Sequence, residues 1–149
     1  LVSSNARLSI TDPLSGNKVS VSFGDIAGTV DFSATAVDNL DLLNLEALLP
    51  ADSTILGAWN FATNLADGNE VFLAFDVEGG LRTFHVWHLD GGAWTLFDPE
   101  SQTYDALGGV AGFAVDSFSG YAVTVPEPGT LALLSLGGIL ALRRKRRRQ

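Results

Sequence analysis

Apolar and polar side chains alternate with a period of two through most of the chain, and this alternation constrains the fold more than any other feature. Between Lys18 and Phe23, every second residue is valine or phenylalanine, and the others are lysine or serine. The pattern indicates a half-buried strand, because successive side chains of a strand point to opposite faces. The segments predicted as strands are 7–11, 18–23, 28–37, 55–63, 70–77, 81–89, 93–97, 102–107, 110–117 and 121–125.

Glycine, aspartate, asparagine and proline separate these segments, and such spacing is typical of sandwiches. We therefore predict an all-β fold, an antiparallel β-sandwich of about eight or nine strands. Asp90-Gly91-Gly92 marks a hairpin, because glycine supplies the positive φ of a tight turn. The one helical candidate is Leu40–Leu49, in which Leu40, Leu43 and Leu49 stand among acids and which Pro50 ends.

Charge is divided unevenly along the chain. Six of the nine lysine and arginine residues lie at 143–148, so residues 1–142 hold three cations and all 17 acids, a formal charge of −14. A body this acidic does not favour nucleic acid as a partner. The chain has no cysteine, which excludes disulfides, thiolate zinc sites and a cysteine nucleophile. It begins at Leu1 without a signal-peptide pattern, so we expect a longer precursor with its export signal upstream.

The last 25 residues differ in character from the rest, and we divide the chain into a β-domain, 1–124, and a C-terminal segment, 125–149. The segment opens with Val125, Pro126, Glu127, Pro128, Gly129 and Thr130, continues with an apolar stretch at 131–142, and ends in a basic tail at 143–149. Proline fixes φ and lacks an N–H, so Val125–Pro128 is predicted to be an extended linker that cannot join the interior of a sheet.

The apolar stretch predicts a single short C-terminal membrane helix. Gly129–Leu142 has 14 residues, or about 21 Å of helix, whereas the hydrocarbon core of a bilayer is about 30 Å thick. A segment this short is a marginal span, although long basic side chains can reach the interface. The basic residues favour the cytoplasmic side, so the body is expected on the outer side. They are Arg143, Arg144, Lys145, Arg146, Arg147 and Arg148.

This order of Pro-Glu-Pro, apolar helix and basic terminus resembles the PEP-CTERM sorting signal of Gram-negative bacteria. The resemblance implies that exosortase, a membrane protease or transpeptidase, cleaves the chain near Pro126–Pro128. It further implies export, a transient inner-membrane intermediate, delivery to the cell surface or extracellular matrix, and an exopolysaccharide or biofilm context. An ordinary tail anchor is the alternative, and nucleic-acid binding by the arginines fits poorly with the acidic body.

Residues 55–124 resemble β-sandwich modules of bacterial surface proteins that close with a Phe-Ser-x-Tyr/Phe-Ala-Val strand, here Phe118–Val123. The resemblance implies a structural or adhesive module that is not an enzyme. Two alternatives stay open: a carbohydrate- or Ca²⁺-dependent binding module, and the C-terminal accessory part of a secreted hydrolase.

Few side chains indicate catalysis or metal binding. His85 and His88 are three apart on one predicted strand, so they point to opposite faces and do not share an ion. The sequence has no Gly-x-Ser-x-Gly elbow in a strand-to-helix context and no phosphate-binding loop. We therefore expect no catalytic residue, no metal site and no cofactor in this chain.

The remaining hypotheses about binding concern the tryptophans and a set of acidic residues. Trp59, Trp87 and Trp94 are interpreted first as core residues, since large aromatic side chains on strands usually pack between layers. Trp87 and Trp94 flank one hairpin and are the candidate carbohydrate contacts. Six acids near strand ends are interpreted as solubilising, with weak Ca²⁺ binding as the alternative. They are Asp76, Glu78, Asp90, Asp98, Glu100 and Asp105.

Overall fold

Two five-stranded antiparallel sheets pack face to face in the computed structural model, which describes residues 1–13, 16–66, 68–77, 83–99, 101–105 and 107–126. In spatial order, the first sheet contains β10 (Gln102–Asp105), β11 (Val110–Val115), β7 (Val71–Asp76), β3 (Lys18–Phe23) and β2 (Arg7–Thr11). The second contains β5 (Phe32–Ala36), β6 (Ser53–Thr63), β12 (Gly120–Pro126), β8 (His85–Asp90) and β9 (Ala93–Phe97). The all-β prediction is confirmed, although in the described part of the chain the two sheets hold ten strands, against the eight or nine predicted.

Two short elements complete the described part of the chain. A two-stranded ribbon joins β1 (Val2–Ser3) to β4 (Thr29–Val30), and the helix α1 spans Asn39–Glu46. The segment 28–37, predicted as one strand, is therefore two strands in two different sheets. The division falls at Asp31, whose backbone N–H donates to the Asn64 side chain (2.8 Å) instead of continuing a ladder.

The main core lies between the two sheets and is rich in aromatic rings. Phe75 contacts Phe61 edge-to-face across the core, with ring centroids 6.5 Å apart, and stacks on Phe113 at 5.6 Å. Tyr121 lies against both Phe61 and Phe113. On β3 the alternating residues Val19, Val21 and Phe23 are all buried, so the predicted inward face of this strand is confirmed.

A second apolar cluster lies on the outer face of the second sheet, where α1 covers it. Leu45 of the helix is fully buried and belongs to one cluster with Leu89, Trp94 and Ala122. The helix begins at the N-cap Asp38, whose side chain accepts from the Asp41 backbone N–H (2.9 Å). Its buried face differs from the expected one, since the predicted apolar positions Leu40 and Leu43 are 68% and 60% exposed.

The strand β12 is the central strand of the second sheet, between β6 and β8. Its residues from Gly120 to Val125 are all buried, because the inter-sheet core covers one face and the α1 cluster lies on the other. Such two-sided burial explains its almost continuous apolar sequence. The predicted hairpin is also present: β8 and β9 pair from Asp90↔Ala93 to Val86↔Phe97.

No helix within the described ranges is long and apolar enough to cross a membrane. The predicted membrane helix at 131–142 and the basic tail at 143–149 lie outside the described residues.

Candidate functional site

The C-terminal end of β12 is the site where the folded body meets the Pro-Glu-Pro segment. Its last three residues pair with the start of β6, in the register Thr124↔Ile55, Val125↔Thr54 and Pro126↔Ser53. Thr124 is 1% exposed and Val125 is 7% exposed. The strand β12 therefore continues to Pro126, two residues into the C-terminal segment 125–149.

A β-bulge and a side-chain hydrogen bond set the position of this strand end. The β6 register shifts between Val123 and Thr124, so Leu56 is the extra residue of the longer strand. On the other side, the indole Nε1–H of Trp87 in β8 donates to Thr124 Oγ1 at 3.0 Å. This bond satisfies the hydroxyl of a fully buried threonine, as a buried polar group requires.

Pro126 fits this position because the sheet narrows there. The pairing of β12 with β8 ends at Thr124↔His85, so beyond this point β6 is its only neighbour within the described part of the chain. A proline without an N–H is tolerated at such a one-sided strand end. Val125 and Pro126 are extended, as predicted. Val125 is paired, in agreement with the strand predicted over 121–125, and Pro126 also pairs, at a one-sided strand end and not in the interior of the sheet. Glu127, Pro128, Gly129, Thr130 and the six basic residues at 143–148 lie outside the described residues.

At the opposite end of β12, three polar side chains join the strand to its neighbours. Ser119 Oγ and His88 Nε2 are 2.6 Å apart, and the His88 ring stacks on Tyr121 with centroids 4.7 Å apart. The Tyr121 hydroxyl donates to the Ser117 carbonyl at 3.0 Å. A hydrogen bond between a serine hydroxyl and a histidine nitrogen is also the contact that joins a nucleophile to its general base in enzymes. Here the same contact also anchors the turn before β12 to β8.

Burial shifts the pKa values of His88 and Tyr121. Partial desolvation lowers the pKa of His88, although the carboxylates of Asp90 and Asp116 offset part of this effect. Burial also raises the pKa of Tyr121, against the opposing effect of its hydrogen bond with Ser117. The sequence did not indicate this contact, because Ser119 and His88 are 31 residues apart and the strand motif Phe118–Val123, which holds Ser119, carries no sign of a histidine partner.

The two candidate carbohydrate contacts differ in their surroundings. Trp94 is 6% exposed, belongs to the cluster under α1, and donates from its indole Nε1–H to the Asp41 carbonyl at 2.8 Å. Trp87 is only partly buried and lies opposite Leu96, which is 62% exposed. Trp87 thus has accessible surface that Trp94 lacks. The third tryptophan, Trp59, is 2% exposed in the main core.

His85, His88 and Asp105, three of the polar residues singled out from the sequence, have different surroundings. His85 is exposed, whereas His88 contacts Tyr121, in agreement with the opposite faces predicted for them. Asp105 caps the turn after β10, since its Oδ1 accepts from the backbone N–H groups of Leu107 and Gly108, each at 3.0 Å. Among the described residues, no group of three or more histidine and carboxylate side chains is placed to hold a metal ion. Glu78 and Glu100 are outside those residues.

A shallow cleft of about 280 Å³ lies between α1, β6 and the turn that joins β2 to β3. Asp12 and Glu46 line it together with the apolar side chains of Leu42 and Ile55. Neither Trp87 nor Trp94 is part of its lining.

Comparison with known proteins identifies the C-terminal segment. A family model described as the PEP-CTERM protein-sorting motif matches residues 124–148. No curated protein and no solved structure matches the chain. The matched segment begins at Thr124, inside the central strand β12. The motif implies an exported protein that exosortase processes and sorts to the cell surface.

Proposed function

Because the chain carries a PEP-CTERM protein-sorting motif, we propose that residues 1–126 form a non-enzymatic β-domain that exosortase delivers to the cell surface or extracellular matrix. The observation that carries this proposal is the direct junction between fold and motif. The central strand of the sandwich ends at Pro126, and Glu127 and Pro128 follow without a spacer. The folded body therefore adjoins the segment on which the enzyme acts.

The tail supplies a transient inner-membrane intermediate in this proposal. The cations at 143–148 remain in the cytoplasm, and the body stands on the outer side, as the positive-inside rule requires. The 14 residues of Gly129–Leu142 reach about 21 Å in a bilayer core of about 30 Å, so they hold the chain only marginally. A marginal span suits a segment that is cut off after use.

The body acts as a structural module of the surface or matrix, in an exopolysaccharide or biofilm setting. Its charge supports an exposed role, because residues 1–126 hold 16 acids against three cations, and this excess of negative charge keeps the domain soluble and repels anionic partners. The Ser119–His88 contact serves the fold, since it joins the turn before β12 to the neighbouring strand and to the ring of Tyr121.

Replacement of the motif tests the sorting step. Changing Pro126, Glu127 and Pro128 together to alanine is expected to abolish processing in a host with exosortase and to leave the body folded. Pro99→Ala is the matched control, because this proline lies outside the motif. Unchanged processing of the triple variant, measured as the mass of the mature chain, would contradict the proposal.

A carbohydrate-binding role is the second candidate, and the accessible surface of Trp87 beside the exposed Leu96 favours it. Aromatic side chains offer flat apolar faces on which sugar rings can stack. Glycan-array binding that is lost in Trp87→Ala and kept in Phe84→Ala would support this role. Phe84 is a partly buried aromatic residue near Tyr104, outside the Trp87 surface. Absence of glycan binding by the wild-type body would exclude the role for the glycans on the array.

A further inference from the structure

The end of β12 limits where the chain can be cut. Residues Thr124–Pro126 belong to the sorting motif by sequence and to the central strand by structure. Thr124 is held from both sides, by its pairing with Ile55 and by the hydrogen bond from Trp87. Val125 is buried and paired with Thr54.

A protease needs its substrate extended, with the backbone of the scissile region free to pair with the enzyme. The backbone of Thr124 and Val125 is already paired within the sheet, and their side chains are buried. Pro126 pairs with Ser53, the first residue of β6, so the pairing observed for β12 ends at this point. Cutting upstream of Pro126 would require the central strand to leave the sheet.

We propose that the processed peptide bond lies after Pro126, within the bonds from Pro126–Glu127 to Thr130–Leu131. The folded sandwich sets the upstream limit, and the apolar stretch that begins at Leu131 sets the downstream limit. The mature body then keeps all of β12. In hydrolysis, the C–N bond breaks, the acyl carbon takes a hydroxyl from water, and the leaving amine takes the remaining proton. This inference rests on the proposed function and adds the position of the cut.

The first test maps the mature C-terminus in a host that has exosortase. Mass spectrometry is expected to find the last residue at position 126, 127, 128, 129 or 130. A mature chain that ends at Val125 or earlier would overturn the inference while leaving processing by exosortase intact. A chain that keeps residue 149 in this host would overturn the proposed function, and the inference with it.

The second test needs no exosortase and uses the full chain in mild detergent with a broad-specificity protease. Trimming from the C-terminus is expected to stop between positions 126 and 130. Val125→Asp places a charge at a buried position and should move the end of trimming upstream into β12. Thr54→Asp is the matched control, since Thr54 pairs with Val125 but is exposed, and its trimming should equal that of the wild type. Trimming of the wild type to Val125 or further upstream would overturn the inference.

Discussion

His88 combines a ring stack, a hydrogen bond and partial burial, so its protonation state matters for the fold. It contacts Tyr121 and Ser119 on the inner side of β8. Its pKa is lowered in the folded state by desolvation, against the fields of Asp90 and Asp116. Between that lowered pKa and the unfolded value near 6.5, the unfolded chain binds more protons than the folded chain. The contribution of His88 to stability is therefore present above the unfolded pKa and lost as the pH falls through the window.

We predict that the melting temperature of the wild type falls as the pH is lowered from about 7.5 to about 5, in part through His88. His88→Gln should make this fall shallower, because the variant has no imidazole to protonate. His85→Gln is the control, since His85 is an exposed histidine on the same strand. Equal slopes for the wild type and His88→Gln, measured by calorimetry across this range, would contradict the account of His88.

Two tryptophans lie on the outer face of the second sheet, and their burial distinguishes a role in packing from a role in binding. Trp94 lies under α1 and is hydrogen-bonded to Asp41, whereas Trp87 is only partly buried. Trp94→Ala is expected to lower the free energy of unfolding by about 3–5 kcal/mol, as large-to-small changes in a core do. Trp87→Ala should cost less, because less surface returns to water. Chemical denaturation of both variants checks the order, and a smaller loss for Trp94→Ala would be inconsistent with it.

At the scale of elements, the alternation of apolar and polar residues was sufficient to predict the bounds of strands that have one buried face and one exposed face. The bounds of β2, β3 and β9 agree with the segments predicted from the sequence. Alternation could not show that 28–37 divides between two sheets, because at the division Asp31 is hydrogen-bonded to Thr63 and Asn64, which lie more than 30 residues away in sequence. It also could not show that Pro126 joins β12, since that depends on where the neighbouring strand β8 begins.

The helix α1 shows a second limit of sequence patterns. Leucine occupies positions 40, 42, 43 and 45, so several faces of the helix are apolar and the sequence does not select one. Packing on the second sheet determines which face is buried: Leu45 lies in the cluster that contains Leu89 and Trp94. The Ser119–His88 contact has the same origin, because the antiparallel register of β8 and β12 places Tyr121 opposite His88.

The packing of β12 requires glycine at its first position. A Cβ on Gly120 would lie 2.7 Å from the Leu89 Cβ and 2.8 Å from Asn60 Oδ1, and a Cβ so close to the backbone cannot move aside. Gly120→Ala is expected to cost about 1–3 kcal/mol of stability through overpacking. Gly24→Ala, where no atom lies within 4 Å, should be neutral or slightly stabilising. Thermal melts of the two variants check this contrast, and equal melting temperatures would contradict it.

At the scale of the whole molecule, charge separates the two parts of the chain. The body is acidic, and the six adjacent cations at 143–148 follow an apolar segment that is short for a membrane span. In the proposed topology these cations keep the tail on the cytoplasmic side. The folded body and the apolar residues from Leu131 are separated by only four residues, 127–130, or at most about 14 Å of extended chain. Exosortase would therefore work directly beside the folded sandwich.

Replacing all six basic residues at 143–148 with glutamine is expected to reduce processing, because nothing then opposes passage of the short span through the membrane. Cell fractionation and the mass of the mature chain measure the outcome. Replacing two of the three body cations, Arg7 and Lys18, with glutamine is the control, and this change should leave processing as it is. Full processing of the chain without basic tail residues would show that the cations are dispensable.

The central claim is that exosortase processes this chain at the junction between the sandwich and its tail. The most direct measurement compares the intact mass of the chain in two otherwise identical hosts, one with exosortase and one without it. The account predicts a mature chain that ends between positions 126 and 130 in the first host, and a chain that keeps residues 131–149 in the second. Identical chains that extend to Gln149 in both hosts would contradict it.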